Sequence, residues 1–519
     1  MMVAAGILLS RIVGLVRNRV FAHFFGTSDA ADAFNAAFRI PNFLQNLFGE
    51  GVLSASFIPV YAGLRARGDE VEARRVAGAV AALLGLVTSV LVLLGVLLTP
   101  WLIAVIAPGF TGEKREVTIQ LVRILFPGAG LLVLSAWCLG VLNSHRRFFL
   151  SYSAPVLWNL AIIASLLAAG GRLGQYPLAA VAAWGSVAGS LLQFGVQLPT
   201  VVRLLGGVRL RLGTASAPVR AVLRNFGPVF VGRGVVQISA YVDTVLASLL
   251  PTGAVAGLSY AQVIYTLPVS LFGMSVSAAE LPAMSSVTGS EADRSAFLRQ
   301  RLDAGLRQIA FFVVPSAAGF LALGDVVTGL LYQSGEFTRA MTVYVWAILA
   351  GSAVGLLAST MGRLYASTYY ALHDTRTPLR FAVLRVVLTI GLGYLFALPL
   401  PVALGLEPRW GAAGLTVSAG MAGWIEFVLL RRALNARIGR TGLPVALAAR
   451  LWAAAVVAAA LTWAVRVVLP TGHPVLAGLL LLAIYGAVYF VITDRLRIPE
   501  ASLVMRRLWP REPRSGAAG

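Results

Sequence analysis

The chain has 519 residues, 58% of them hydrophobic and only 12% charged, with a mean hydropathy of +0.82 and a formal net charge of +21. Soluble domains carry roughly 25% charged residues, so a soluble protein is excluded and an all-α polytopic membrane protein is expected. The positive excess clusters between apolar runs, which excludes nucleic acid as a partner and points to topology control and contact with anionic membrane lipids.

A segment that crosses the hydrocarbon core needs about 20 apolar residues. About fourteen transmembrane helices are expected, at 3–24, 30–62, 77–107, 116–143, 151–170, 177–202, 222–249, 254–286, 304–323, 340–371, 379–399, 410–432, 446–467 and 474–493. The first carries arginines along its length and has no small-residue cleavage site, so it reads as a membrane helix and not a signal peptide. It begins so near residue 1 that a few natural upstream residues are expected to precede it. Pro41, Pro155, Pro228 and Pro268 mark bends or helix starts. The polar segment 289–303 (GSEADRSAFLRQRLD) reads as a short interfacial helix before the ninth span.

One set of alternate loops is rich in arginine, from Arg65, Arg67, Arg74 and Arg75 to Arg431, Arg432, Arg437 and Arg440. The opposite set holds only Lys114, Arg115, Arg172, Arg339, Arg409 and Arg466. Positive loops stay in the cytoplasm, so both termini are expected there. A long basic connector near 203–222 halves the chain. The expected domains are a six-helix lobe at 1–205, a second at 206–437, two additional helices at 438–495 and a basic tail at 496–519. Transporters are often built from such repeats, with the site at the repeat interface.

Charges inside the spans are the functional signal, because each costs at least a few kcal/mol unless it faces water, a partner or a ligand. The first span holds Arg11, Arg17 and Arg19; the second holds Asp29, Asp32, Arg39 and Glu50. A helix advances about 100° per residue. Asp32, Arg39 and Asn46, seven apart, and Glu50, eleven beyond Arg39, then share one stripe; Arg11 and Asn18 share another. The bland reading is internal pairing of Arg11 or Arg17 with Asp32 or Glu50. The functional reading is a cationic cavity for a phosphate group, which guanidinium forks bind well. Later spans add Arg233, Asp243, Glu280 and Arg363. Asp243 is a candidate for Na⁺ or H⁺ coupling, or a partner for Arg233 or a first-half arginine; Glu280 is a candidate titrating group or a helix-end residue.

Enzyme chemistry finds no foothold. Cys138 is the only cysteine, the four histidines are scattered, and no HExxH or GxxxxGK[ST] pattern occurs. No organic cofactor is called for.

Seven stretches taken together, SRIVGLVRNRVFAHFFG, ADAFNAAFRIPNFLQNLFGEGVLSASFIPVY, LNSHRRFFLSYSAPVLWN, YVDTVLASLL, LSYAQVIYTLPVSLFGMSVSAAELP, LYQSGEFT and YYALHDTRTP, resemble the MurJ (MviN) family of the multidrug/oligosaccharidyl-lipid/polysaccharide exporter superfamily. The resemblance implies fourteen helices in two six-helix lobes, with a groove at the last two helices for an undecaprenyl tail. It implies flipping of lipid II, the lipid-linked peptidoglycan precursor, by alternating access. Carried over by motif, it puts Arg11, Arg17, Asp32, Arg39, Glu50 and Arg363 at the head group and pyrophosphate, and Asp243 at a Na⁺ site. The chain departs from the family pattern at Asn18, at Gln45 and Asn46, and at Gln262 and Val263. Two acids and two arginines are thereby replaced. The expected partners are lipid II or a related undecaprenyl-pyrophosphate glycan, membrane lipids and cell-wall synthesis proteins. The alternatives are an exporter of another polyprenyl-linked glycan and a non-transporting cell-wall scaffold.

Overall fold

The computed structural model describes residues 2–210, 212, 216–287, 289–468 and 473–502. Among the described residues the chain is helical, with one isolated bridge between Ser334 and Phe337 and no strand. The long helical segments are α1 (Met2–Phe25), α2 (Asp29–Ala66), α3 (Glu70–Leu97), α4 (Gly112–Ser144), α5 (Phe148–Ala169), α6 (Gln175–Leu205), α7 (Ala217–Ser248), α8 (Ala254–Ser285), α9 (Glu291–Tyr332), α10 (Arg339–Ala371), α11 (Arg376–Ala403), α12 (Pro408–Ile438), α13 (Val445–Val468) and α14 (Pro474–Arg495), with a short helix, Thr99–Ile106, between α3 and α4. A bilayer offers no water to unpaired backbone groups, so apolar segments of this length close their hydrogen bonds within themselves.

Twelve of these segments, α2 to α6 and α8 to α14, are apolar and long enough to span a membrane. The other two expected spans fall on α1 and α7. Both are long enough, at 24 and 32 residues, but α1 carries Arg11, Arg17 and Arg19, and α7 carries Arg220, Arg224, Arg233 and Asp243.

Helix starts follow local chemistry. The side chains of Ser28, Asp69 and Ser290 accept from the backbone N–H groups of Ala31, Glu72 and Asp293, filling donors that a first turn leaves open. The segment 289–303 is not a separate interfacial helix. It is the first part of α9, which runs unbroken for 42 residues from its Ser290 cap. No proline or glycine interrupts that segment after Ser290, so the helix continues through it. Conversely, α2 is broken at Gly49, which is extended (φ −82, ψ −157) between the helices Asp29–Phe48 and Glu50–Ser56. In α8, Pro268 is followed by a π-helical stretch, Val269–Met274.

The chain divides into two compact units, Met1–Ala256 with Ser334–Thr338, and Gly257–Gln333 with Arg339–Gly519. In the first, α4 is the core helix, packed by α2, α3 and α6, while α1 lies on α5 and α5 on α6. Small residues permit the approach: a Cβ at Gly6 of α1 would sit 3.0 Å from Tyr152 Cβ. In the second unit α9 and α10 pack together, α12 joins α10 and α11, and α13 and α14 lie on α9. Gly355 and Gly420 bring α10 and α12 so close that a Cβ on Gly355 would stand 2.5 Å from Gly420 Cα.

Candidate functional site

Three groups of charged side chains in the first unit involve the residues singled out from the sequence. The first surrounds Asp32, which is buried on α2. Its Oδ2 accepts from Lys114 Nζ and from the backbone N–H of Gly253, and its Oδ1 accepts from the N–H of Ala256, each at 2.8 Å. A buried carboxylate needs such compensation, and the first turn of α8 supplies unpaired N–H groups and the positive end of a helix dipole. Lys114 also pairs with Asp29 at 2.8 Å and sits over the Phe110 ring at 4.4 Å. Thr252 Oγ1 donates to Asp29 Oδ1, also at 2.8 Å. The site therefore ties together the starts of α2, α4 and α8.

The second group joins Arg39 of α2 to α7. Arg39 Nη1 donates to Thr244 Oγ1, and Tyr241 O–H donates to the Arg39 carbonyl oxygen at 2.7 Å. The Asp243 carboxylate attracts the same guanidinium electrostatically. Among the described residues no three His, Cys, Asp or Glu side chains cluster as a metal site.

The third group lies on α1. Arg17 donates from Nε and Nη2 to Asn18 Oδ1, at 3.3 and 2.8 Å. Its guanidinium carbon stands 4.9 Å from the centroid of the Trp158 ring on α5. One turn away, a Cβ at Gly14 would lie 3.9 Å from Asn159 Oδ1. Arg11 is exposed on the same helix.

The remaining residues stand apart from these groups. The Glu50 side chain lies outside the described residues, and the break at Gly49 ends the helical register on which its alignment with Arg39 rested. Residues 503–519 of the expected basic tail, and the side chain of Arg233, also lie outside them. Arg363 is exposed on α10 and Glu280 sits on α8, both in the second unit. Glu280 Oε2 is 2.7 Å from Arg301 Nε of α9.

Sequence reasoning passed over Lys114 as a loop residue. One signal was available: among 42 basic residues it is the sole lysine. A compact ammonium donates to two carboxylates at once where a planar fork does not fit. Trp158 and Tyr241 gave no such signal, because their partners lie on other helices.

Twelve helices long and apolar enough to cross a membrane, with arginines on α1 and α2, place the chain among multi-pass membrane proteins. The comparisons specify which. The family described as lipid II flippase MurJ matches residues 21–483. The "Probable lipid II flippase MurJ" of Rhizobium meliloti (strain 1021) is 32% identical over 96% of this chain and 93% of its own. The "Lipid II flippase MurJ" of Burkholderia cenocepacia is 31% identical over 83% and 82%. A solved structure titled "Lipid II flippase MurJ, inward closed conformation" shares the fold, with a TM-score of 0.76 and 23% identity over 98% of this chain and 99% of that one. The chain belongs to the MurJ family.

Proposed function

We propose that this chain is a flippase that carries lipid II across the bacterial cytoplasmic membrane by alternating access, for peptidoglycan synthesis. The observation that carries the reading is the family match over residues 21–483. Arg17 supports it chemically. Its guanidinium leans on an aromatic face and hydrogen-bonds a neighbouring amide. A pyrophosphate takes such a guanidinium as a charge-assisted partner. The head group and pyrophosphate would move past Arg11, Arg17 and Arg39 while the prenyl tail stays in lipid. The arginine-rich loops put both termini in the cytoplasm. Membrane potential is a sufficient drive, since one elementary charge crossing 100 mV is worth about 2.3 kcal/mol. We derive no step through a bound cation.

Gln45 and Val263, where the resemblance leads to an expectation of arginine, favour a second reading with another polyprenyl-linked glycan as substrate. The test is rescue of a bacterium depleted of its own lipid II flippase by the unsubstituted gene and by Arg17→Ala, with membrane levels checked by blot. Rescue by the unsubstituted gene alone supports lipid II. Failure of both at normal levels moves the substrate to another lipid-linked glycan. Full rescue by Arg17→Ala removes Arg17 from the site.

A further inference from the structure

We propose that Trp158 is a positioning residue for substrate binding: its indole is the platform that orients the Arg17 guanidinium toward a pyrophosphate. The inference rests on the reading of Arg17 as a ligand of the pyrophosphate.

The platform is built from three helices. Trp158 Nε1 on α5 donates to Ser186 Oγ on α6 at 3.2 Å, and Ser186 is buried. A Cβ added to Gly189, one turn further along α6, would meet the Trp158 Cα and carbonyl oxygen at 2.8 Å. Only glycine lets the α5 backbone come this close. Phe38 of α2 packs against the indole with ring centroids 5.8 Å apart. Backbone, ring nitrogen and ring face are thus each fixed by a neighbour, so the indole has one setting.

Arg17 approaches from α1. Its guanidinium carbon is 4.9 Å from the indole centroid, within the range where a cation is attracted by the ring quadrupole. The platform sets where the guanidinium lies. The hydrogen bonds from Nε and Nη2 to Asn18 Oδ1 set its rotation. An arginine held in place loses less side-chain freedom when a ligand arrives, and recognition of a phosphate group is better for it. Trp158 need not touch the ligand to have this effect.

The test is binding of farnesyl pyrophosphate, a pyrophosphate on a short prenyl chain, to the purified full chain in nanodiscs by calorimetry. The variants are Arg17→Ala, Trp158→Leu, Trp158→Phe and the double variant Arg17→Ala/Trp158→Leu. Trp158→Leu should weaken binding by about two- to thirtyfold, the range a cation–π contact spans. Trp158→Phe keeps an aromatic face and should fall between Leu and Trp. Trp158→Leu should add nothing in the Arg17→Ala background, which separates positioning from packing. If Arg17→Ala weakens binding and Trp158→Leu does not, the inference fails and the reading of Arg17 survives. If the Leu penalty persists without Arg17, or Phe is as poor as Leu, Trp158 acts through packing and the inference also fails. If Arg17→Ala binds the probe as tightly as the unsubstituted chain, or that chain does not bind it, the reading of Arg17 itself is wrong.

Discussion

The hydroxyl of Tyr489 on α14 donates to the carbonyl oxygen of Phe311 on α9 at 2.7 Å. Phe311 lies four residues before Pro315, which has no N–H to give it. One helical turn earlier on α14, Tyr485 donates to the Pro315 carbonyl itself, also at 2.7 Å. The spacing of four puts both hydroxyls on one face of α14. The stretch of α9 around Pro315 is therefore satisfied from outside, by two hydroxyls of α14. Tyr489→Phe should strand a buried carbonyl and destabilise the protein by about 1–3 kcal/mol. Thermal unfolding in detergent checks this; a midpoint equal to that of the unsubstituted chain would mean the carbonyl finds another donor.

A second expectation concerns the only lysine. Asp32→Asn removes the negative charge that Lys114 and the first turn of α8 share, while Asp29 remains as a more exposed partner. Breaking a buried pair on one side costs about 3–5 kcal/mol because the other group stays behind; here Asp29 should hold the loss to about 2–3 kcal/mol. An amine-reactive reagent has one side-chain target, so its rate at Lys114, read by mass spectrometry, reports the state of this contact directly. Asp32→Asn should speed that reaction. An unchanged rate and unchanged unfolding midpoint would show that Asp29 alone holds the lysine.

Fold class was legible in the sequence because hydropathy is additive along the chain: twelve of the fourteen expected spans fall on helical segments long and apolar enough to cross a membrane. What periodicity could not see were two local facts of opposite sign. Gly49 breaks α2 and ends the helical register on which the alignment of Glu50 with Asp32 and Arg39 rested. At the other end, the polar residues after Ser290 continue into α9, since charged residues are good helix formers as long as neither proline nor glycine intervenes. The partners of the charges were hidden for a different reason. Lys114 meets Asp32, and Asp243 faces Arg39, through tertiary packing, and a single sequence carries no register between helices.

Asp374, in the turn between α10 and α11, makes a pH prediction. It accepts from the Thr377 N–H at 3.0 Å, from the Thr377 hydroxyl at 2.7 Å and from the Arg376 N–H at 3.1 Å, and pairs with Arg437 at 2.7 Å. The Thr377 backbone and hydroxyl, then Arg437, hold its carboxyl down to about 2 from the usual 3.8. A lowered carboxyl stabilises the fold above its unfolded value, and that contribution is lost as pH falls from about 4 to about 2. The unsubstituted chain should be more stable than Asp374→Asn at neutral pH, and the gap should close across that interval. A gap that is constant down to pH 2 would mean the turn is held by its neutral hydrogen bonds.

Gly253 offers the sharpest contrast of sign. It stands immediately before α8 with a φ of +92, a conformation that L side chains rarely adopt. A Cβ there would also press on Thr27, 2.7 Å from its carbonyl oxygen and 3.0 Å from its Cβ. Its N–H is one of the two backbone donors that hold Asp32, so any shift of the backbone to relieve the clash weakens that bond. Gly253→Ala should therefore destabilise the protein by about 2 kcal/mol or more. Gly63 is the control. It lies inside the helix Ile58–Ala66 with nothing within 4 Å of an added Cβ, and alanine there should stabilise by about 0.5–1 kcal/mol. The two variants, measured side by side by thermal unfolding, should move in opposite directions. If they move together, the strain at Gly253 is relieved elsewhere and the cap on α8 does not depend on this glycine.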